Sequence, residues 1–381
     1  MSEHDFTRQL PFDGAPPTRS ISLFQAIHID APLLGLILTL CTLGLFVVYS
    51  ASNENINLVY RQATYIGVGL TAMFVVAQVH PRNFYRWAPW LYTLGVGLLI
   101  AVLLVGTNAK GAQRWLDLPG LPRFQPSELL KLVVPMMVAW FLSSRILPPA
   151  NRPVITSIAI IALPCVLIAK QPDLGTALLI GSSGIFVVFL AGISFRLIAT
   201  TMALGAAALP ALWYVMHDYQ KQRVLTFLSP ERDPLGAGWN IIQSKVAIGS
   251  GGVYGKGWLD GTQSHLNFLP ESSTDFIIAV FAEEFGLFGC IGLVAIYLLI
   301  VFRGLYISAQ AQDTNSRLLS GSITLTFFVY VFVNIGMVSG LLPVVGVPLP
   351  LVSVGGTSIV TLMLGFGVLM SVETHKNWLS Q

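Results

Sequence analysis

The chain is short of charge. Of its 381 residues only 10% are Asp, Glu, Lys or Arg, where a soluble domain carries about 25%. That shortage excludes an ordinary water-solvated surface. Cysteine is scarce too: Cys41, Cys165 and Cys290 all lie inside apolar runs, so they read as small hydrophobes and not as a disulfide or zinc framework. The sequence lacks Lys/Arg clusters of the kind that bind nucleic acid and its net charge is only +3, so neither DNA nor RNA is an implied partner. Met1 to Ser20 lacks an apolar core, which makes it a polar tail and not a cleaved signal peptide. What the chain has in abundance is hydrophobicity, 54% of residues with a mean hydropathy of +0.72. An all-α polytopic membrane protein follows.

About ten apolar runs are long enough to cross a bilayer: Ala31 to Ser50, Gln62 to Val79, Ala88 to Val105, Ser127 to Leu142, Pro153 to Ala169, Leu174 to Ile193, Leu197 to Val215, Asp275 to Phe302, Leu319 to Leu341 and Ser353 to Val372. An even number puts both termini on one side. Arg82, Arg86, Arg145, Arg152, Arg196, Arg303 and Arg317 sit in the short loops of that side and mark it as cytoplasm. The chain then divides into a cytoplasmic tail (1–29), one membrane domain (30–373) with external loops 106–126 and 216–273, and a cytoplasmic tail (374–381). The larger loop joins the seventh and eighth spans. Both external loops carry cations, among them Lys110, Arg114, Lys245 and Lys256. Long loops escape the charge rule, so these are either solvated decoration or an external site for an anionic lipid.

Acids at membrane depth are costly and usually serve ion or substrate chemistry, which singles out Asp275 at the mouth of the eighth span. Its bland alternative is a first-turn acid favoured by the helix dipole, with Ser273 or Thr274 as N-cap. Glu283 and Glu284 put two more acids in the same span, more than capping explains. Glu128 and Lys131, three positions apart after a predicted Ser127 cap, face each other on a helix and can neutralise one another. Asp173 follows Pro172 in a tight external turn, where it can cap the next helix or orient a neighbouring cation. Trp239, Ile242 and Val246 give the segment carrying Lys245 one apolar face, the pattern of an interfacial helix. The stretch from Gly249 to Gly257 fails as a nucleotide phosphate loop, since Ser250 stands where a glycine belongs and Gly257 where Ser or Thr would bind magnesium; it reads as a mobile loop near a phosphate lipid. The segment Leu342 to Ser358, broken by prolines and glycines, must line a cavity or be buried in protein.

Taken in order, Lys110-Gly-Ala-Gln-Arg-Trp115, Phe124-Gln-Pro-Ser-Glu128, Gln171-Pro-Asp-Leu-Gly-Thr176, Asp233-Pro-Leu-Gly-Ala-Gly238, Leu269-Pro-Glu-Ser-Ser-Thr-Asp-Phe276 and the closing Pro/Gly segment from Asn334 to Ser358 resemble the SEDS family (shape, elongation, division and sporulation), nearer its rod-shape branch than its division branch. The resemblance covers nearly the whole chain. One departure is Val354, where the family usually has Tyr; a contact from that hydroxyl would be missing here.

The resemblance implies a peptidoglycan glycosyltransferase that polymerises lipid II on the periplasmic face of the bacterial inner membrane, beside a class B penicillin-binding protein. It also implies that the catalytic carboxylate falls on Asp275. Such growth needs one base to take a sugar hydroxyl proton, while the leaving diphosphate is already a stable anion, so one carboxylate suffices. Arg114, Lys131 and Lys245 are candidates for meeting the diphosphate, with Lys110, Glu128, Asp173, Glu271 and Glu283 as further substrate-site residues. A magnesium or manganese ion bridging Asp275 or Glu271 to the diphosphate would serve equally, although no ligand spacing demands one. Two other readings fit: a lipid II flippase, and a scaffold that activates the penicillin-binding protein.

Overall fold

The computed structural model describes residues 27–109, 112–116, 125–193, 218–229, 237–262 and 271–376, with isolated positions between 199 and 231. In chain order the helices are α1 (Ala31–Ala51), α2 (Ile56–Ala77), α3 (Pro81–Val105), α4 (Pro126–Ser143), α5 (Asn151–Ala169), α6 (Leu174–Leu190), α7 (Asp218–Leu228), α8 (Ala237–Gly251), α9 (Ile277–Ala309), α10 (Thr314–Val338) and α11 (Gly356–Thr374). A two-stranded antiparallel hairpin, β1 (Thr107–Ala109) and β2 (Ala112–Trp115), lies between α3 and α4. The protein is an all-helical polytopic membrane protein, with seven described helices both long and apolar enough to cross a bilayer and a shorter apolar one in α6. Each expected run except Leu197 to Val215, most of which lies outside the described residues, coincides with a helix.

Burial sorts the helices. In α4 and α10 67% of the spanning window is buried, against 28% in α3, α5 and α9, so the first two form the centre and the others face lipid. Exposed Leu104, Ile155 and Phe302 belong on that periphery, where apolar side chains need no covering protein. Small residues bring helices close: at Gly69 a Cβ would stand 2.9 Å from Met363 Cγ, which ties α2 to α11.

Local chemistry sets the helix starts. Asp30 caps α1 by accepting from Leu33 N at 2.9 Å, and its carboxylate also receives Arg303 Nε at 3.1 Å. Asp173 caps α6. The expected Ser127 cap is corrected: Gln125 is the N-cap of α4, with no side-chain cap bond, and Ser127 is buried inside the helix, accepting from Gln125 Nε2 at 2.9 Å. Likewise α9 starts at Ile277 with Phe276 as N-cap and no side-chain cap, so Asp275 sits in the preceding turn and not in the helix's first turn. At its other end α9 runs past Phe302 to Ala309, which puts Arg303 within the helix rather than in a loop.

The largest departure is inside α9. Gly286 adopts φ +64 and ψ −162 and breaks the helix, a conformation that glycine reaches without steric cost. An unbroken helix would bond Leu287 N to Glu283 O and Phe288 N to Glu284 O. Here those four groups all turn to the stretch after α8: Leu287 N donates to Gly252 O (3.0 Å), Phe288 N to Val253 O (3.2 Å), Lys256 N to Glu283 O and Gly257 N to Glu284 O (both 3.0 Å). Backbone cut loose at membrane depth must find partners within protein, and the loop supplies them one for one. The glycine-rich stretch is therefore no mobile phosphate loop. Its glycines are there because backbone meets backbone: a Cβ at Gly251 would collide with Ala282 O, and one at Gly255, itself at φ +80, with Glu284 O. Nor is α8 simply interfacial. Ile241, Ser244 and Ala247 are buried, and Ser244 Oγ donates to Val338 O of α10 at 2.9 Å.

At the opposite helix ends His375, the C-cap of α11, stacks on His28 with ring centroids 3.9 Å apart and meets His80 edge-on at 5.2 Å. Desolvation lowers the His375 pKa below its ordinary 6.5, with a smaller opposing contribution from the Ser371 carbonyl and further lowering by His28 and His80. The unfolded chain therefore takes up this proton first as the pH falls. Stability is intact above about pH 6.5 and is lost as the pH falls through the lower folded-state value. The melting temperature in detergent should drop as the pH falls below about 6.5, and His375→Asn should flatten that slope. An unchanged slope would contradict the assignment.

Candidate functional site

The turn 271–276 is held against the Pro/Gly segment before α11 by a web of bonds. Ser353 Oγ donates to Thr274 O (2.6 Å) and accepts from Leu349 N (2.8 Å), and Val354 N donates to Ser273 O (3.0 Å). Gln62 of α2 reaches Ser353 O at 3.0 Å. From α10, buried Asn334 spends its Nδ2 on two carbonyls, Asp275 O at 2.9 Å and Val347 O at 2.7 Å. Tyr297 donates to Pro350 O at 2.7 Å. This answers how an irregular segment survives at membrane depth: its polar backbone is bonded within protein, and it walls a cavity.

That cavity is an open cleft of about 340 Å³ lined by Asp275, Glu271, Thr274, Asn240, Val344, Gly346, Pro348 and Val354 among others. Asp275 is partly exposed in it, and a Cβ built at Gly346 would stand 3.4 Å from its Oδ2. Glu271 accepts from Thr274 Oγ1 at 2.6 Å. Asn240 Oδ1 is buried without a hydrogen-bond partner, the condition of a group that a ligand or water completes. The departure at Val354 thus falls on the cleft wall.

The other sequence candidates form two further groups. Glu128 and Lys131 pair at 2.6 Å as the i, i+3 spacing requires, both buried, with Lys131 Nζ 5.0 Å from the centre of the Tyr330 ring. They line a cavity of about 30 Å³ that shares Tyr330, Ser358 and Leu362 with a void of about 10 Å³, and this void shares Pro348 with the Asp275 cleft. The ion pair and the Asp275 cleft thus lie on either side of shared wall residues, Tyr330 and Pro348 among them. Arg114 lies 3.6 Å from Asp173 and donates through Nε to Gln171 O at 3.3 Å and through its terminal nitrogen to Pro172 O, while Gln125 Nε2 meets Asp173 at 3.1 Å.

Glu283 does not line the cleft. Fully buried, it accepts from Lys256 Nζ (2.6 Å), Thr262 N and Thr262 Oγ1 (both 2.9 Å) and Ser250 Oγ (3.3 Å), which makes it the anchor of the loop spliced into α9. Glu284 accepts from Ser50 Oγ of α1. Lys245 is exposed and lies over Gly340. Lys110 lies outside the described residues. Sequence reading passed over Asn240, Asn334 and Tyr330. Asn334 had a signal, an amide inside an otherwise apolar span, which in a bilayer must find polar partners.

Removing the Asn334 amide should loosen the turn. Asn334→Ala takes the amide donor from the buried Val347 carbonyl, at about 1–3 kcal/mol, and from the partly buried Asp275 carbonyl, at less, and loosens the peptide that carries Asp275. A lower melting temperature together with lower activity is expected; a variant as stable and active as wild type would contradict this positioning role.

Compared with known proteins, residues 31–378 match the family model named for FtsW, RodA and SpoVE and described as "Cell cycle protein". The chain belongs to this family. Among its SEDS relatives, the peptidoglycan glycosyltransferase MrdB of Escherichia coli K12 is 53% identical over 361 residues, 94% of this chain and 97% of that one. A probable peptidoglycan glycosyltransferase FtsW of Geobacter metallireducens is 34% identical over 375 residues, 93% and 97% of the two chains. The fold matches a chain from a structure titled for coordination of polymerization and crosslinking by a peptidoglycan synthase complex, with TM-score 0.80, 30% identity and coverage of 91% and 99%. It also matches the crystal structure of the rod shape determining protein RodA of Thermus thermophilus, with TM-score 0.69, 28% identity and coverage of 91% and 98%.

Proposed function

We infer that this SEDS chain is a peptidoglycan glycosyltransferase of the rod-shape branch, a multi-pass protein of the bacterial inner membrane that polymerises lipid II. The observation that carries the chemical reading is the open cleft holding Asp275 and Glu271 at the head of α9. In the step we propose, a sugar hydroxyl of one lipid-linked disaccharide attacks the anomeric carbon of another. A new C–O bond forms, the bond to the polyprenyl diphosphate breaks with its electron pair going to that diphosphate, and Asp275 takes the hydroxyl proton as general base. The orphaned Asn240 Oδ1 in the cleft wall suits a sugar hydroxyl or amide donor. Asp275 facing the periplasm is consistent with the charge bias of the opposite loops.

Charge on the leaving diphosphate calls for cations. The Arg114 and Lys131 groups are candidates to meet it, with Arg114 held by Asp173 and Lys131 by Glu128. Among the described residues no group of three or more His, Cys, Asp or Glu is placed to hold a metal. Two carboxylates in one cleft nonetheless suit magnesium or manganese, which bind through one or two protein carboxylates plus phosphate and water. Asp275 and Glu271 would hold such an ion, and it would neutralise diphosphate charge. The expected partner is a class B penicillin-binding protein, in keeping with the similarity to a chain from a synthase complex that joins polymerization to crosslinking.

The test is to reconstitute the purified chain with its penicillin-binding partner and labelled lipid II. Glycan polymer is expected; headgroup translocation across liposomes without polymer would favour the flippase, and polymer only from the partner would favour the scaffold.

A further inference from the structure

At the helix ends opposite the Asp275 cleft lies an open cavity of about 670 Å³, between the start of α3, the α9–α10 turn and the end of α11. The reaction above does not use it. Its wall is basic: Arg82 and Arg86 project from the first turns of α3, exposed, with His80 and His375 beside them. Lys376 is paired with Glu373 and adds little. Asp313 is the acid of the lining, and one of its oxygens is taken up in capping α10 by accepting from Ser316 N at 2.9 Å. The positive ends of two long helices, α3 and α10, also meet at this cavity.

Two side chains point to a ligand independently of the charge. Asn315 Oδ1 and Ser316 Oγ, in residues only 7% and 3% exposed, line the cavity and are buried with no hydrogen-bond partner. Buried polar atoms without partners are costly, and a native structure retains them where something else completes them. The depth of the site suggests its occupant. Trp87 and Trp90 stand exposed on α3 just beyond Arg86, and such aromatics mark the bilayer interface, the level of lipid headgroups.

We propose that the cavity bounded by Arg82, Arg86, Asn315 and Ser316 is a binding site for a phosphate-bearing anion, the guanidinium groups taking the phosphate oxygens and the two buried side chains its remaining hydrogen-bonding groups. Guanidinium forks match phosphate geometry. An anionic phospholipid headgroup and a soluble phosphate compound share this chemistry.

Purified, delipidated full-length protein distinguishes them. Native mass spectrometry after adding phosphatidylglycerol should find it retained by wild type, and retained roughly tenfold less by the Arg82→Gln/Arg86→Gln double variant, the loss of charge-assisted bonds being worth at least that factor. Phosphatidylcholine should not discriminate between them. Both arginines are exposed, so an unchanged melting temperature without ligand confirms that the double variant is folded. Thermal protection by inorganic phosphate, lost in the double variant, would support the site with a soluble phosphate as its source. Ser316→Ala should also lower retention; retention unchanged by it overturns the placement at α10. Equal retention of phosphatidylglycerol by wild type and double variant, with no protection by phosphate, overturns the proposal altogether.

Discussion

Glu283→Ala should destabilise the protein by about 3–5 kcal/mol, enough to remove most of the folded material from detergent at moderate temperature. The carboxylate is fully buried and has Lys256, Thr262 and Ser250 as partners. Deleting it leaves the Thr262 N–H without an acceptor and the Lys256 ammonium without its counterion. It also removes the post that holds the loop across the break at Gly286. The backbone bonds from Lys256 and Gly257 to Glu283 and Glu284 depend on that loop, so their loss returns unsatisfied carbonyls to membrane depth. Glu283→Gln keeps the shape and should cost less, because its amide oxygen can still accept from Thr262 and Ser250. The check is the melting temperature of both variants with limited proteolysis at 251–262. A Glu283→Ala protein melting like wild type would contradict the anchoring role.

Asp275→Asn should lower polymerisation by roughly 10² to 10⁴, the usual worth of a general base, with little loss of stability. The structure separates the two effects. Backbone groups help to fix the turn: Asn334 reaches Asp275 O, and Ser353 and Val354 hold the neighbouring Thr274 and Ser273 carbonyls. Asp275 itself lines the cleft and is partly exposed. Asparagine fits the same space, so the deficit should lie in kcat with folding preserved. Gly346→Ala provides a contrast. A Cβ there is in ordinary contact with Asp275 Oδ2 at 3.4 Å, but the glycine's φ of +76 strains any L residue, so that variant should lose stability along with activity.

Much of this was legible in the chain itself. Long apolar runs dictate helices because a bilayer leaves backbone no other partner, and the Glu128–Lys131 pair follows from i, i+3 spacing alone. Asp275 stood out as an acid at a membrane mouth, and the Pro/Gly segment after α10 reads as a cavity wall because it cannot be a helix. What resisted reading depends on contacts distant in sequence. Nothing local says that Gly286 breaks α9, since an isolated glycine in an apolar helix is commonly tolerated; the break exists because residues 252–257 supply its missing bonds. Glu283 looked like a substrate acid for the same reason: its partner Lys256 lies 27 positions away in a loop. Asn240, near the start of α8, and Tyr330, inside α10, carried no signal of their own in the sequence.

The central claim is that one carboxylate at the head of α9 accepts the proton during glycan growth. The direct measurement is the polymer formed from labelled lipid II by the chain and its penicillin-binding partner, wild type against an Asp275→Asn protein verified as folded by its melting temperature. Polymer from the first and a deficit of about 10² or more in the second is the result expected. Equal polymer from both would contradict it.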